Sequence, residues 1–498
     1  MKPVKPRKPR KKDGEPMTTA PPSGVKVRMY RQGLGDCFLL TFATGGERPF
    51  YVLIDCGLIV GTPDAPRKME EVAADLRQAT GDHIDVLVAT HQHWDHLSGF
   101  EQAKDVFEPI QFGEVWVAWT EDPSDPLAAR LRARRETALR GLHAAAQGLK
   151  AAGGDQSSHL DSVLGFFGEL GAAGRPSGLQ RALEFVLSRG NPRYYTPGRP
   201  PLALPGGARV YVLGPPRDEK LLLRSDPSRR TSEVYEKKLG LDDETAFFAA
   251  AVATVPGTGL KLTEEEEELR AMSVPFDRPC GLSFKKAKRN GFFQEHYFGV
   301  PDQPQPKEKD KDEDISWRRI DEAWLGAAEK LALQLDGDTN NTSLALAIEL
   351  SPGGKVLLFP GDAQVGNWLS WESLSWPREG DPDHPITAAD LLRRTVLYKV
   401  GHHASHNATL RAKGLELMES PELVAMIPVD EEMARKVKGW DMPFGELLKR
   451  LQEKASGRVL RADTGLPEKP QQVSAAAWQE FLDGCVQTDL YVEVTISA

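Results

Sequence analysis

"HQHWDH" (91–96) sets three histidines and an aspartate into six positions, directly after the apolar run "IDVLVAT" (84–90). The whole chain has only 11 His among 498 residues. Neutral imidazole is the commonest metal-ligating side chain, and the spacing here is regular. His91 and His93 are two apart, so they project to the same side of an extended segment. Asp95 and His96 lie one turn further on, where a helix begins, so each pair suits one cation. Mixed His/Asp ligation is typical of zinc and tolerates manganese or iron. A buried cluster of this kind that binds nothing carries like-charge and desolvation costs.

Working outward, the flanks read as a layered α/β domain. "VKVRMYRQ" (25–32), "CFLLTFA" (37–43) and "PFYVLIDCG" (49–57) are apolar, β-rich runs separated by turn signals. "PRKMEEVAADLRQATG" (66–81) has helical spacing and a glycine stop. "HIDVLVAT" is a short buried strand whose end delivers the histidines. This order presents functional residues at strand ends on a sheet edge. Residues 25–121 form the first half of the domain. The texture then turns helical over 122–206, which reads as an insertion. A core strand follows at 207–216, and 217–335 is a second, irregular insertion expected to be partly mobile near 301–315. Strand texture resumes over 336–498.

Composition narrows the function classes. Hydrophobic content of 40% and charged content of 27% fit a soluble globular chain. A net charge of −9 excludes a surface that attracts polyanions as a whole, so any polyanion is handled by a local patch or by metal ions. No stretch approaches the ~18 apolar residues of a membrane span. Cys37, Cys56, Cys280 and Cys485 are scattered without a CxxC pair. That argues against a disulfide framework or zinc ribbon and suits a reducing, cytoplasmic setting. Residues 1–24 are basic and proline-rich and read as a disordered tail.

Two more segments share the same local grammar, an apolar strand ending in a ligand-type residue. "VLLFPGD" (356–362) ends in Asp362, and "VLYKVGHHASH" (396–406) brings His402, His403 and His406. Three such strand ends make a dinuclear site the natural reading. His91-x-His93-x-Asp95-His96 resembles the signature of metallo-β-lactamase-fold hydrolases. "LIDCG" (53–57) looks like that superfamily's first motif. The pieces "GLGDCFLL" (33–40), "VLIDCG" (52–57), "THQHWDHLSG" (90–99), "VLGPP" (212–216), "NNTSLAL" (340–346), "FPGD" (359–362) and "KVGHHAS" (399–405) most resemble, in order, the soluble domain of ComEC-type DNA-internalisation competence proteins.

The resemblance implies an αββα four-layer sandwich with helical and irregular insertions, and two divalent metal ions, Zn or Mn. It implies metal ligands at His91, His93, Asp95, His96, Asp362 and His402, with Asp362 bridging and Asp95 and Asp362 serving catalysis. Asp55 would support the metal loop from behind, and His403 would support a ligand or face the substrate. Asn340, Asn341 and Ser343 stand where typical members have another histidine before the bridging aspartate, which leaves one ion short of a ligand. Ala404 replaces a glycine of the family's pattern, and Asp441, in "WDMP" (440–443), replaces a histidine. Lys399 is either a counter-charge to a substrate anion or a solvated lysine, and Asp36 reads as a turn residue.

The expected activity is that of a dinuclear hydrolase in which a metal-bridging hydroxide attacks a phosphodiester, with nucleic acid or a nucleotide as substrate and no membrane partner. Two rivals remain open: the same metals acting on a lactone, thioester or amide, and a metal-stabilised binding or regulatory module with weak turnover.

Overall fold

The computed structural model describes residues 18–46, 48–151, 157–168, 176–225 and 323–498, with short pieces between 282 and 296. These fall into two compact units. Leu131–Leu164 and the described part of Glu236–Asp336 form one, and the other described residues form the second and larger. The larger unit carries the site.

It contains two large mixed sheets. The first runs, in spatial order, β16 (Cys485–Gln487), β17 (Tyr491–Ile496), β1 (Val25–Tyr30), β2 (Cys37–Phe42), β3 (Phe50–Cys56), β4 (His83–Ala89), β5 (Gln111–Ala118) and β6 (Asn191–Tyr195). The second runs β15 (Val459–Arg461), β14 (Val424–Ile427), β13 (Thr395–Lys399), β10 (Val356–Phe359), β9 (Leu346–Glu349), β8 (Arg209–Val212) and β7 (Leu202–Ala203). A small ribbon pairs β11 (Ser375–Trp376) with β12 (Ile386–Thr387). Each large sheet is antiparallel on one side and parallel on the other: β3 to β6 are parallel in the first, and β10, β13, β14 and β15 in the second.

The inner faces of the two sheets meet in one apolar core. Phe38, Leu40, Ile54 and Val88 from the first sheet join Ile348, Leu357, Phe359 and Met426 from the second. The outer face of the first sheet is covered by helix α1 (Ala65–Thr80) and helix α2 (Trp94–Gln102), whose Met69, Val72, Leu76, Leu97 and Phe100 pack on Leu39, Leu53 and Leu87. With both faces covered, β2 is buried along its whole length, which explains why its sequence is a continuous apolar run instead of an alternation. The helix Ala388–Arg393 contacts β10 on the other side. The fold is therefore the metallo-β-lactamase type of sandwich.

Two expected boundaries shift. Residues 191–206 do not belong to a purely helical insertion, because β6 pairs with β5 and β7 with β8. The proline of "NPRYY" sits on an edge strand, the position where a missing N–H costs no ladder bond. The tail expected over 1–24 is ordered from residue 18. Thr18 donates its N–H to the Ala79 carbonyl (3.1 Å), and its hydroxyl accepts from Arg28 (3.1 Å). Residues 1–17 and the stretch 301–315 lie outside the described residues.

Candidate metal centre

In open sheets of parallel strands, ligands gather beyond the carboxyl ends. Asp55 is the penultimate residue of β3, Thr90–His96 follow β4, Asp362 follows β10, and Lys399 ends β13 with His402 and His403 just after it. Both sheets therefore deliver their functional residues to one place.

The backbone is shaped to do so. Cys37 pairs with Cys56 but Phe38 pairs with Ile54, so Asp55 is the extra residue of a β-bulge, with φ 55°. A bulge re-aims a side chain. Here the Asp55 carboxylate accepts the Thr90 N–H (2.8 Å), the Thr90 hydroxyl (2.7 Å) and His96 Nδ1 (2.8 Å). The "GLGD" loop clamps the start of α2, since the Asp36 N–H donates to the Asp95 carbonyl at 3.0 Å. A Cβ on Gly57 would lie 2.5 Å from the Asp95 carbonyl carbon, so only glycine permits this approach.

Four histidines have Nδ1 committed, which turns Nε2 towards the centre. The Thr90 hydroxyl spends its proton on Asp55, so at 3.0 Å it accepts from His91 Nδ1. His96 Nδ1 donates to Asp55. His403 Nδ1 donates to the Pro428 carbonyl (2.7 Å), which has no proton to give. The Ser405 hydroxyl donates to Asn407 (2.8 Å) and therefore accepts from His402 Nδ1 (2.9 Å). Such partners fix tautomer and ring orientation around a metal.

The ligand-type atoms converge. His91 Nε2 and His93 Nδ1 are 3.0 Å apart, His96 Nε2 and Asp362 Oδ2 3.1 Å, and His403 Nε2 and Asp95 Oδ2 2.9 Å. Zn–N bonds of about 2.0–2.1 Å in a tetrahedral shell place ligand atoms roughly 3.3 Å apart, so these separations are close to those of donors around a cation. Asp95, His96, Asp362 and His403 offer ligand atoms all within 4.8 Å of one another. His402 Nε2 and Asp95 Oδ1 are buried with no hydrogen-bond partner, an arrangement that suits a cation.

His402, His403 and Ala404 have φ of 44°, 52° and 63°, three consecutive left-handed residues without a glycine. Each costs about 1–2 kcal/mol relative to the right-handed form. The turn persists because the Asp362 carboxylate accepts the His402 N–H (2.8 Å) and the Ala404 carbonyl accepts the Phe444 N–H (2.9 Å). It directs two adjacent histidines to different partners.

Electrostatics favour added positive charge. Asp36, Asp55, Asp95 and Asp362 are all buried, against one buried ammonium, Lys399. Burial pushes His91 well below the ordinary histidine range, His93 down to about 3 and His402 down to about 4, so these rings are neutral. Burial also opposes charge on His96 and His403, but Asp362 and Asp36 beside the first and Asp95 beside the second hold both above the usual value. Burial raises Asp36 to about 6 in spite of Lys399. Burial likewise opposes ionisation of Asp362, yet Lys399 and His96 keep it well below the carboxylate range.

The structure thus brings His91, His93, Asp95, His96, Asp362, His402 and His403 together, with Asp55 behind His96. It is His403, expected to be auxiliary, whose ring nitrogen joins Asp95, His96 and Asp362; His402 stands to the side. Lys399 is neither solvated nor aimed at a substrate, since its three protons go to Asp36, Asp362 (2.8 Å) and the Gly361 carbonyl (2.9 Å). Ser343 accepts the Asp362 N–H (3.0 Å). Asn341 accepts N–H groups of Gln364 and Asn367 (both 3.1 Å) and so holds the segment after Asp362, while Asn340 is buried in the last turn of the helix Ala323–Asn340. Asp441 is exposed and pairs with Arg435 at 3.0 Å. Sequence reasoning missed Asp36 as the partner of Lys399 and Thr90 as the link between Asp55 and His91.

Residues 31–174 match the family model described as "Metallo-beta-lactamase superfamily". No curated protein matches the chain. The matched segment carries the "HQHWDH" motif, and the buried His/Asp cluster extends it with Asp362 and His403 from the second sheet. Together they point to a metal-dependent hydrolase.

Proposed function

We propose that the protein is a dinuclear metal-dependent phosphodiesterase. The observation that carries this reading is the donor set itself: five buried histidines, four of them with Nδ1 committed, around Asp95 and Asp362. One ion would be held by His91, His93 and His402, and the other by Asp95, His96 and His403, with Asp362 shared. In this arrangement His402 fills the place left by the histidine absent before Asp362, and its unpartnered Nε2 supports that role. Bound divalent cations would supply Lewis acidity and a water acidified to a pKa of about 7. Lys399 holds Asp362 in position and keeps it ionised. Thr90, Asp55, Pro428 and Ser405 hold the rings. The resemblance of the motif order to ComEC-type domains favours nucleic acid or a nucleotide as substrate, and mixed His/Asp ligation favours zinc or manganese as the metal.

The test loads metal-free protein with Zn or Mn and compares bis(p-nitrophenyl) phosphate with a lactone and thioester panel. Metal-dependent diester hydrolysis, lost in Asp362→Asn with the fold retained, is the expected result. Turnover confined to the panel overturns the phosphate assignment. Metal binding with no turnover on any substrate leaves the binding-module reading in its place.

A further inference from the structure

Beside the centre lies an aromatic and cationic rim that no metal-holding role accounts for. Phe166 stands 5.4 Å from His93 and 5.8 Å from His402, ring centroid to ring centroid, and Phe167 stands edge-on to His93 at 5.0 Å. Trp440 stacks on Phe166 with centroids 4.5 Å apart and planes within 9°. Phe166 is buried, whereas Trp440 keeps part of its surface exposed, so the indole is the outer member of the pair. Lys438 Nζ lies 5.7 Å from the Trp440 centroid, within electrostatic reach of Asp95.

The segment bearing Lys438 and Trp440 is built to hold position. Met433–Lys438 forms a π-helical turn, a feature frequent at functional sites. Its start is fixed by the Met433 N–H on Asp430 (2.9 Å), and the Trp440 N–H closes it on the Ala434 carbonyl (2.9 Å). Its far end is tied through Phe444 to Ala404, in the same strained turn that aims His402 and His403. The segment bearing Lys438 and Trp440 is therefore tied to the turn that bears His402 and His403.

A flat ring wall beside an ammonium, next to a metal-holding cluster, suits an anionic phosphoester carrying a planar group. Ring faces stack on any nucleobase without reading its edge, and the ammonium offsets the charge of the phosphate. Accordingly, and resting on the phosphodiesterase reading above, we infer that Trp440, with Phe166 behind it, receives a nucleobase of the substrate while Lys438 contacts its phosphate.

The test uses the full-length, metal-loaded protein and two diesters with the same leaving group, thymidine 5′-(p-nitrophenyl) phosphate and methyl p-nitrophenyl phosphate. Trp440→Ala is expected to lower kcat/KM for the nucleoside ester by on the order of 10-fold or more and to leave the methyl ester within about 2-fold, with Trp440→Phe restoring most of the loss. Lys438→Gln is expected to raise KM for both. Metal content and thermal unfolding of each variant control for folding. Binding of thymidine 5′-monophosphate by calorimetry gives a readout independent of turnover. Hydrolysis with an equal effect of Trp440→Ala on both esters overturns the rim assignment and spares the phosphodiesterase. Nucleotide binding that weakens in Trp440→Ala, with neither ester hydrolysed, spares the rim and overturns the phosphodiesterase. Neither binding nor hydrolysis removes both.

Discussion

Replacing Thr90 with valine removes one oxygen and keeps the outline of the side chain. That oxygen donates to Asp55 Oδ2 (2.7 Å) and accepts from His91 Nδ1 (3.0 Å), all three residues being buried. Asp55 Oδ2 retains His96 Nδ1, so the loss falls mainly on His91, whose Nδ1–H is left without an acceptor at a cost of about 1–3 kcal/mol. The ring escapes part of this cost by moving its proton to Nε2, the atom that otherwise faces His93. A protonated Nε2 is no ligand, so the cost appears as metal affinity, roughly 10–100-fold for loss of such a partner. Competition for Zn against a chromogenic chelator measures this directly, and urea unfolding of metal-free protein separates any general destabilisation. Undiminished affinity for both ions in Thr90→Val would refute the claim that His91 binds through an Nε2 exposed by this relay.

Other expectations follow from single contacts. Lys399→Met leaves Asp36 and Asp362 buried without their cation, so metal-free protein is expected to lose about 3–5 kcal/mol in urea unfolding, with metal recovering part of it; a change under 1 kcal/mol contradicts the pairing. Ala404→Gly relieves a φ of 63° and is expected to raise stability by about 0.5–1 kcal/mol, whereas destabilisation would show that the left-handed turn is not strained. His96 is held well above the usual histidine value and His403 above it, so metal-free protein holds these protons more tightly than a free imidazole does, and a cation must displace them. Zn affinity should therefore rise with pH, and calorimetry in two buffers of different ionisation enthalpy should show proton release. The sign for stability is the reverse: the benefit of these raised groups to metal-free protein is full below about pH 6.5 and fades as pH climbs through their folded values.

Much of the centre was legible because an apolar run ending in His or Asp marks the carboxyl end of a buried parallel strand, which is where β4, β10 and β13 deliver their residues. The approach of His403 to Asp95, His96 and Asp362 was not legible. It depends on three successive left-handed residues, and neither histidine nor alanine advertises that conformation. Asp36 was hidden by its glycines, since a turn explains "GLGD" completely and only the tertiary fold brings Lys399 against it. Lys399 itself ends a strand buried on both faces, something a single lysine after "VLY" does not reveal. The stack of Phe166 on Trp440 joins residues remote in sequence, so no local pattern announces it. Strands β6 and β7 were lost in helical surroundings because one opens on a proline edge and the other is two residues long.

Anomalous diffraction from crystals grown with Zn or Mn tests the central claim most directly. The account requires two peaks about 3.5–4 Å apart, both touching Asp362, one against His91 and His93 and the other against Asp95, His96 and His403. A single peak, or two that do not share Asp362, would contradict it.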